Sequence, residues 1–251
     1  MCLPICLFAE VAARTGQNFD PNVLTLGFAR RVATYKRANL LFHDAARLVA
    51  IAEKIGGLQI LYAGKAHPAD NAGKGLIRDV YSAAAKLNSS ALKIYYIENY
   101  DWELGALLTQ GVDDWVNTPR RPYEASGTSG MKATLNGVPS LSILDGWWIE
   151  GCAENTTGWA IEDGESEAAE ANSLYEKLEK SIAPMYANPH AWSRMQQHCI
   201  AINGSFFNTH RMLAQYFENS YFPPTLVNKN PASPLERRRS NDVLVPEPAL
   251  V

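Results

Sequence analysis

"LQILYAGKAHPADNAGKGLIRDVYSAAAKLNSSALKIYYIEN", residues 58–99, decides the fold. Residues 58–64 form a short apolar run ending in Ala-Gly, and 92–99 form a second run rich in isoleucine and tyrosine. Between them, 71–87 reads as a helix. A strand, a helix and a strand in this order predict a parallel pair, because parallel strands need a long crossover. The runs are continuous rather than alternating, which predicts burial on both faces of the sheet.

The same unit repeats outward. Residues 23–29, "VLTLGFA", are of buried-strand type, and a helical pattern follows over 35–55, with Leu40, Leu41, Ala45, Leu48, Val49 and Ile51 as its apolar stripe. Further on come a helix over 102–110, a strand in "VDDWVN" (112–117), and strands in "SLSIL" (140–144) and "GWAIE" (158–162). The chain is therefore expected to be α/β, a doubly wound and mostly parallel sheet, with helices alone from Ser166 onward. Residues 1–222 are expected to form this domain, after a short opening helix over 5–15. The proline-rich, charged stretch 223–251 has little to bury and is expected to be a flexible tail.

A hydrophobic share of 47% across 251 residues predicts a soluble globular chain with a real core. The net charge of -3 argues against nucleic acid or an anionic membrane as a partner, so cations matter only where they cluster. Cys2, Cys6, Cys152 and Cys199 form no CxxC pair, and the five histidines have no metal-ligand spacing. These features predict a reducing, cytoplasmic setting and no metal site. The opening "MCLPICLF" has no basic region before its apolar run, unlike a signal peptide, and its abrupt apolar start is expected to be the edge of a larger protein.

In a doubly wound sheet, ligands gather beyond the carboxyl ends of the strands. Three loops there hold chemistry. "GFARRVATYKR" (27–37) delivers Arg30, Arg31, Lys36 and Arg37 within eight residues, a set able to hold phosphate oxygens. "YIENYD" (96–101) adds Glu98, Tyr100 and Asp101; a tyrosine hydroxyl can donate to phosphate, whereas a carboxylate would repel it. "EASGTSGMK" (124–132) lets the backbone of its "SGTSG" approach a ligand closely and places Lys132 at the start of a helix. Phosphate donors with one lysine are what pyridoxal phosphate requires, an amine for the Schiff base and partners for the phosphate. Each loop taken alone also reads as an ordinary solvated or capping segment. Trp147 and Trp148 are expected to pack where the helices meet the sheet, and Asp145 and Glu150 to orient loops.

"EASGTSGMKATLNGVPSLSILDGWWIEG" resembles the cofactor-lysine segment of the α-glucan (glycogen, maltodextrin) phosphorylases. "GFARRVATYKRANLLF", "AGKAHP" and "ENYDWELGALLTQGVDDWVNTPRRP" resemble the segments before it, in order, and "HRMLAQYFENSYFPP" resembles a later one more loosely. Asp101 and "GTSGMK" are similar to the short bacterial and archaeal branch rather than the long animal type, which has arginine and "GTGNMK" there. The resemblance implies a glycosyltransferase-B architecture, of which this chain matches only the carboxyl-terminal domain. It implies pyridoxal phosphate on Lys132, with Arg30, Tyr100, Gly127, Thr128 and Ser129 around the cofactor phosphate. It implies Arg31 and Lys36 on inorganic phosphate or the phosphate of glucose 1-phosphate, and Glu124, Ala125, Ser126 and Gly127 on the glucose hydroxyls. Lys132, Arg31 and Lys36 would be the catalytic residues.

The reaction so implied is phosphorolysis of α-1,4-glucan to α-glucose 1-phosphate with retention. Its partners would be glucan, phosphate, an amino-terminal domain that completes the cleft and, as a possibility, a second copy of the chain. Two other readings fit the same loops: a phosphate- or cofactor-binding module without turnover, and a nucleotide-sugar glycosyltransferase domain with no use for the lysine.

Overall fold

The computed structural model describes residues 3–162, 164 and 166–221. The chain divides into two compact units, residues 1–207 and residues 208–251; the expected tail, 223–251, lies outside the described residues.

Six strands make the sheet of the first unit: β1 (Thr25–Ala29), β2 (Leu58–Ala63), β3 (Leu92–Ile97), β4 (Asp114–Asn117), β5 (Ser140–Ile143) and β6 (Gly158–Ile161). All neighbours are parallel, in the order β3-β2-β1-β4-β5-β6. The chain starts in the middle, winds outward to β3, then returns to the other side of β1 and winds outward to β6. Between β1 and β4 the strand order reverses, the position at which doubly wound sheets place their ligands.

Both faces are covered, as continuous apolar strands require. Along β2, Ile60 and Tyr62 point to one face, where they join residues such as Leu48 of α2 (Ala45–Lys54), Val80 of α3 (Asn71–Leu87) and Leu174 of α7 (Glu167–Lys177). Leu61 and Ala63 point to the other, with Leu7 and Val11 of α1 (Leu3–Thr15), Leu104 and Leu108 of α4 (Trp102–Gly111) and Ala133 of α5 (Ser129–Leu135). A period of two on a sheet covered twice yields these two separate cores. The short helix α6 (Trp148–Gly151) buries Trp148 completely, its indole N–H donating to the carbonyl of Trp159. After α7 come α8 (Ala183–Tyr186) and α9 (Pro189–His198); in the second unit, α10 (Thr209–Tyr216) is capped by Asn208. Among the described residues, no helix is long and apolar enough to cross a membrane.

The helix expected over 35–55 is shorter. Two 3-10 turns, Thr34–Lys36 and Leu40–Phe42, precede α2, which starts only after the Asp44 side chain accepts the Arg47 N–H. Arg37 interrupts the repeat with a left-handed backbone, φ 45°, and is only 4% exposed. Its Nε and Nη2 donate to the carbonyls of Thr118 and Pro119 after β4, at 3.0 and 2.9 Å, and its Nη1 pairs with Glu170 of α7. Tertiary bonds at one residue thus override a helical stripe that was sound locally. Arg37→Ala leaves the Glu170 carboxylate buried and unpaired, which is expected to cost about 3–5 kcal/mol of unfolding free energy by urea denaturation. Arg31→Ala, at an exposed position, is expected to stay within about 0.5 kcal/mol of wild type.

β4 is entered through two acids. Asp113 accepts the Thr25 N–H at 2.8 Å, and burial, which outweighs that bond and one from Tyr186, pushes its carboxyl up to about 7. Asp114 is fully buried, and burial, followed by the neighbouring Asp113 charge, holds it well above the usual carboxylate range. Both acids bind protons more tightly folded than unfolded, so stability falls as pH rises from about 4, where the unfolded chain ionises, to about 7. Asp113→Asn is expected to keep the Thr25 bond and remove part of that slope. Thermal melts should show the variant gaining on wild type at pH 8 and matching it near pH 4.

Candidate active site

Arg30 is the first residue after β1, and its N–H continues the ladder by donating to Ala63 at 3.2 Å. Its side chain is 8% exposed, and Nη2 donates to Glu124 Oε2 at 2.7 Å. Lys36 ends the first 3-10 turn, also buried, and its Nζ donates to the same oxygen at 2.5 Å while lying 4.7 Å over the Tyr35 ring. One carboxylate oxygen, itself buried, therefore serves two cations. Arg30 Nε and Nη1 are buried and have no hydrogen-bond partner among the described residues. Burial lowers the Arg30 pKa, against the pull of Glu124 and Tyr35, yet a guanidinium stays charged. The cluster thus sets two cations on one carboxylate oxygen, with two buried guanidinium donors unpaired among the described residues, an arrangement suited to a further anionic acceptor.

Glu124 arrives from the loop after β4 and is held there by its backbone. Its N–H donates to Asp145 Oδ2 at 2.9 Å, and Asp145 Oδ1 accepts the Gly146 N–H at 3.0 Å. Two residues on, the Ser126 carbonyl accepts the Trp147 N–H at 2.8 Å. Gly146 has φ 56°, and a Cβ there would sit 2.3 Å from the Ser126 oxygen, so only glycine lets the two loops approach this closely. Asp145 is buried and does orient a loop. Glu150 is exposed.

Ala125, Ser126 and Thr128 lie exposed along the loop, with Gly127 and Ser129 half-buried. α5 begins at Ser129 and carries Lys132, exposed, with no side-chain bond or ion pair among the described residues. Lys132 and Ser129 line a cleft of about 710 Å³ together with Tyr100, Asp101 and Trp102. A second cleft, of about 430 Å³, is lined by Arg31, Lys65, Ala66, His67 and again Tyr100. Tyr100 thus borders both the lysine and the exposed arginine. Burial, followed by Asp101, raises its hydroxyl pKa, so that it is a donor at neutral pH.

Several residues turn out to be scaffold. Asp101 accepts the Leu104 N–H at 2.7 Å, capping α4, and pairs with Arg14 at 3.2 Å; the cap, followed by Arg14, lowers its pKa. Glu98 accepts the Tyr81 hydroxyl. Gly130 exists for Trp147, whose ring would lie 2.8 Å from a Cβ there, and Trp147 also packs on Trp148 and Phe207. Lys65 and His67 had no part in the sequence-based site. Their signal was position: they follow β2 directly, at the edge where ligands gather. Among the described residues, no three His, Cys, Asp or Glu side chains are grouped to hold a metal ion.

The carbohydrate phosphorylase family model matches residues 6–161. The chain is 44% identical over 211 residues to a maltodextrin phosphorylase of Thermococcus litoralis, covering 80% of this chain and 25% of that protein. It is 41% identical over 229 residues to a glycogen phosphorylase of Aquifex aeolicus, covering 87% of this chain and 32% of the relative. A glycogen phosphorylase of Mycobacterium tuberculosis is 41% identical over 219 residues, 82% of this chain and 25% of the relative. The chain spans a quarter to a third of the length of these curated relatives. With the family model covering well over half of its residues, the chain belongs to the carbohydrate phosphorylase family.

Proposed function

We propose that this chain is the pyridoxal phosphate-bearing domain of an α-glucan phosphorylase, which cleaves an α-1,4-glucosidic bond with phosphate and releases α-glucose 1-phosphate with retention. The observation that carries the reading is the buried Arg30–Lys36 pair, under-neutralised by one carboxylate and holding two orphaned N–H donors. Lys132, an amine unpaired among the described residues on the wall of a cleft shared with Tyr100, fits the same cofactor.

Lys132 would hold pyridoxal phosphate covalently, with Arg30, Tyr100 and the amides of Gly127, Thr128 and Ser129 receiving its phosphate. When bound, the cofactor supplies a phosphate monoester that shares a proton with the substrate phosphate. Arg31 and Lys36 hold that substrate phosphate. Two phosphates in contact repel, which favours a proton shared between them over two full dianions, and each added cation lowers the energy of bringing them together. Glu124 and the exposed strip Ala125–Ser126–Gly127 take the glucose hydroxyls, fixing the anomeric carbon against the phosphate. The leaving glycosidic oxygen then receives a proton from the substrate phosphate.

The loops after β1 and β4 supply one wall of the site. We assign the opposite wall, the glucan channel and the exclusion of water to polypeptide beyond residues 1–251. An open half-site holds ligands but leaves the reacting centre in water, so this chain alone is expected to release little phosphate from glucose 1-phosphate and maltodextrin. Robust turnover by the isolated chain would contradict this assignment.

The cofactor assignment is tested by incubating the chain with pyridoxal phosphate, reducing with borohydride and mapping peptides by mass spectrometry. A pyridoxyl group is expected on Lys132 and absent from Lys132→Ala. A label spread evenly over exposed lysines, with none favoured, would refute the site. Arg30→Gln, which removes a charged phosphate donor, is expected to weaken cofactor uptake by about tenfold or more.

A further inference from the structure

Glu124 is asked to do two things in one site. The proposed function gives it to sugar hydroxyls, yet its Oε2 is bound by Arg30 and Lys36, the cations that phosphate needs. We propose that Glu124 is an internal stand-in for a phosphate dianion, a latch that neutralises Arg30 and Lys36 until phosphate arrives and is then released to the sugar. Phosphate and sugar would therefore bind with positive coupling. The inference rests on the proposed assignment of Arg30 to the cofactor phosphate and of Lys36 to the substrate phosphate.

The charges favour exchange. Arg30, Lys36 and Glu124 are all buried, so the two cations cannot be left without an anion at low cost. Glu124 provides one negative charge through one oxygen, whereas a phosphate provides between one and two and several acceptor oxygens. Arg30 Nε and Nη1, unused by Glu124, are buried without a partner among the described residues, a cost that a phosphate reaching them would relieve. The carboxylate thus balances part of the buried charge while leaving two donors that a phosphate would satisfy.

The geometry allows the side chain to move while the strip stays. Glu124 N–H is fixed to Asp145, and Ser126 O to Trp147 N–H, so the backbone of residues 124–126 does not depend on the carboxylate. Glu124 Oε1 makes no hydrogen bond among the described residues and faces the Gly127 side of the loop, 3.7 Å from where a Cβ on Gly127 would lie. Once a phosphate holds the cations, the carboxylate is repelled by it and needs new donors. Hydroxyls of a sugar lying along Ala125–Ser126–Gly127 supply them. By reciprocity, a sugar that draws Glu124 away from the cations strengthens phosphate binding by the same factor.

The latch is tested by titrating inorganic phosphate into the full chain, as wild type, Glu124→Gln and Arg30→Gln, with and without saturating glucose, by calorimetry and thermal melting. Glu124→Gln is expected to melt below wild type without phosphate, to bind phosphate about tenfold tighter, within the usual range of coupling between sites, and to recover its melting temperature as phosphate is added. Glucose should tighten phosphate binding in wild type and have no such effect in Glu124→Gln. Should Glu124→Gln not fold, Glu124→Asp, whose shorter side chain reaches the cations less well, is expected to change phosphate affinity in the same direction. Repeating the titration with pyridoxal phosphate identifies the source of the dianion. Tightening confined to pyridoxal phosphate supports a latch for the cofactor, and tightening with inorganic phosphate supports one for the free anion. Phosphate that binds wild type in an Arg30-dependent way, but no tighter to either Glu124 variant, would overturn the latch and leave the proposed function standing. Phosphate bound by none of the proteins would overturn both.

Discussion

Two cations from the loop after β1 share a single carboxylate oxygen from the loop after β4, and that buried contact ties the two strand ends together. Burying three charges is costly, and only close geometry repays it. The geometry comes from parallel pairing. β1 and β4 lie side by side although 84 residues separate Ala29 from Asp114, and their carboxyl ends leave the sheet at the point where the strand order reverses. Asp145, after β5, then pins the backbone of Glu124 so that the carboxylate meets Arg30 and Lys36.

The four cations of one short loop end in three different environments. Arg37 is a strut, joined to two carbonyls beyond β4 and to Glu170 on α7. Arg30 and Lys36 form the buried pair, and Arg31 remains exposed beside Tyr100, Lys65 and His67. A solvated basic loop would have scattered all four outward. What separates them is the backbone: a strand end, a 3-10 turn and one left-handed residue rotate successive side chains in unrelated directions.

The small residues before Lys132 divide in a similar way. Their glycines invite a reading as a cradle for a ligand, yet Gly130 is dictated by the indole of Trp147. Packing demands from inside the protein and ligand demands from outside favour the same residue type. Asp101 is comparable, being a helix cap and a partner of Arg14 at a position that sequence reading could assign only as a charge near phosphate.

Sequence alone determined the parallel α/β architecture and the order of its strands and helices, because continuous apolar runs and helical stripes are local and each strand reads the same whatever lies beside it. Residues 71–87 match α3 end for end. Sequence also singled out the three loops that carry Arg30, Tyr100, Glu124 and Lys132. Tertiary structure alone decided which charges meet. That Glu124 binds Arg30 and Lys36, that Asp145 holds Glu124, that Lys65 and His67 border the cleft, and that the helix expected over 35–55 gives way at Arg37 all depend on contacts between segments far apart in the chain. The free energy of a buried charge is set by its nearest neighbours in space, and those neighbours exist only once the sheet has brought its strand ends together.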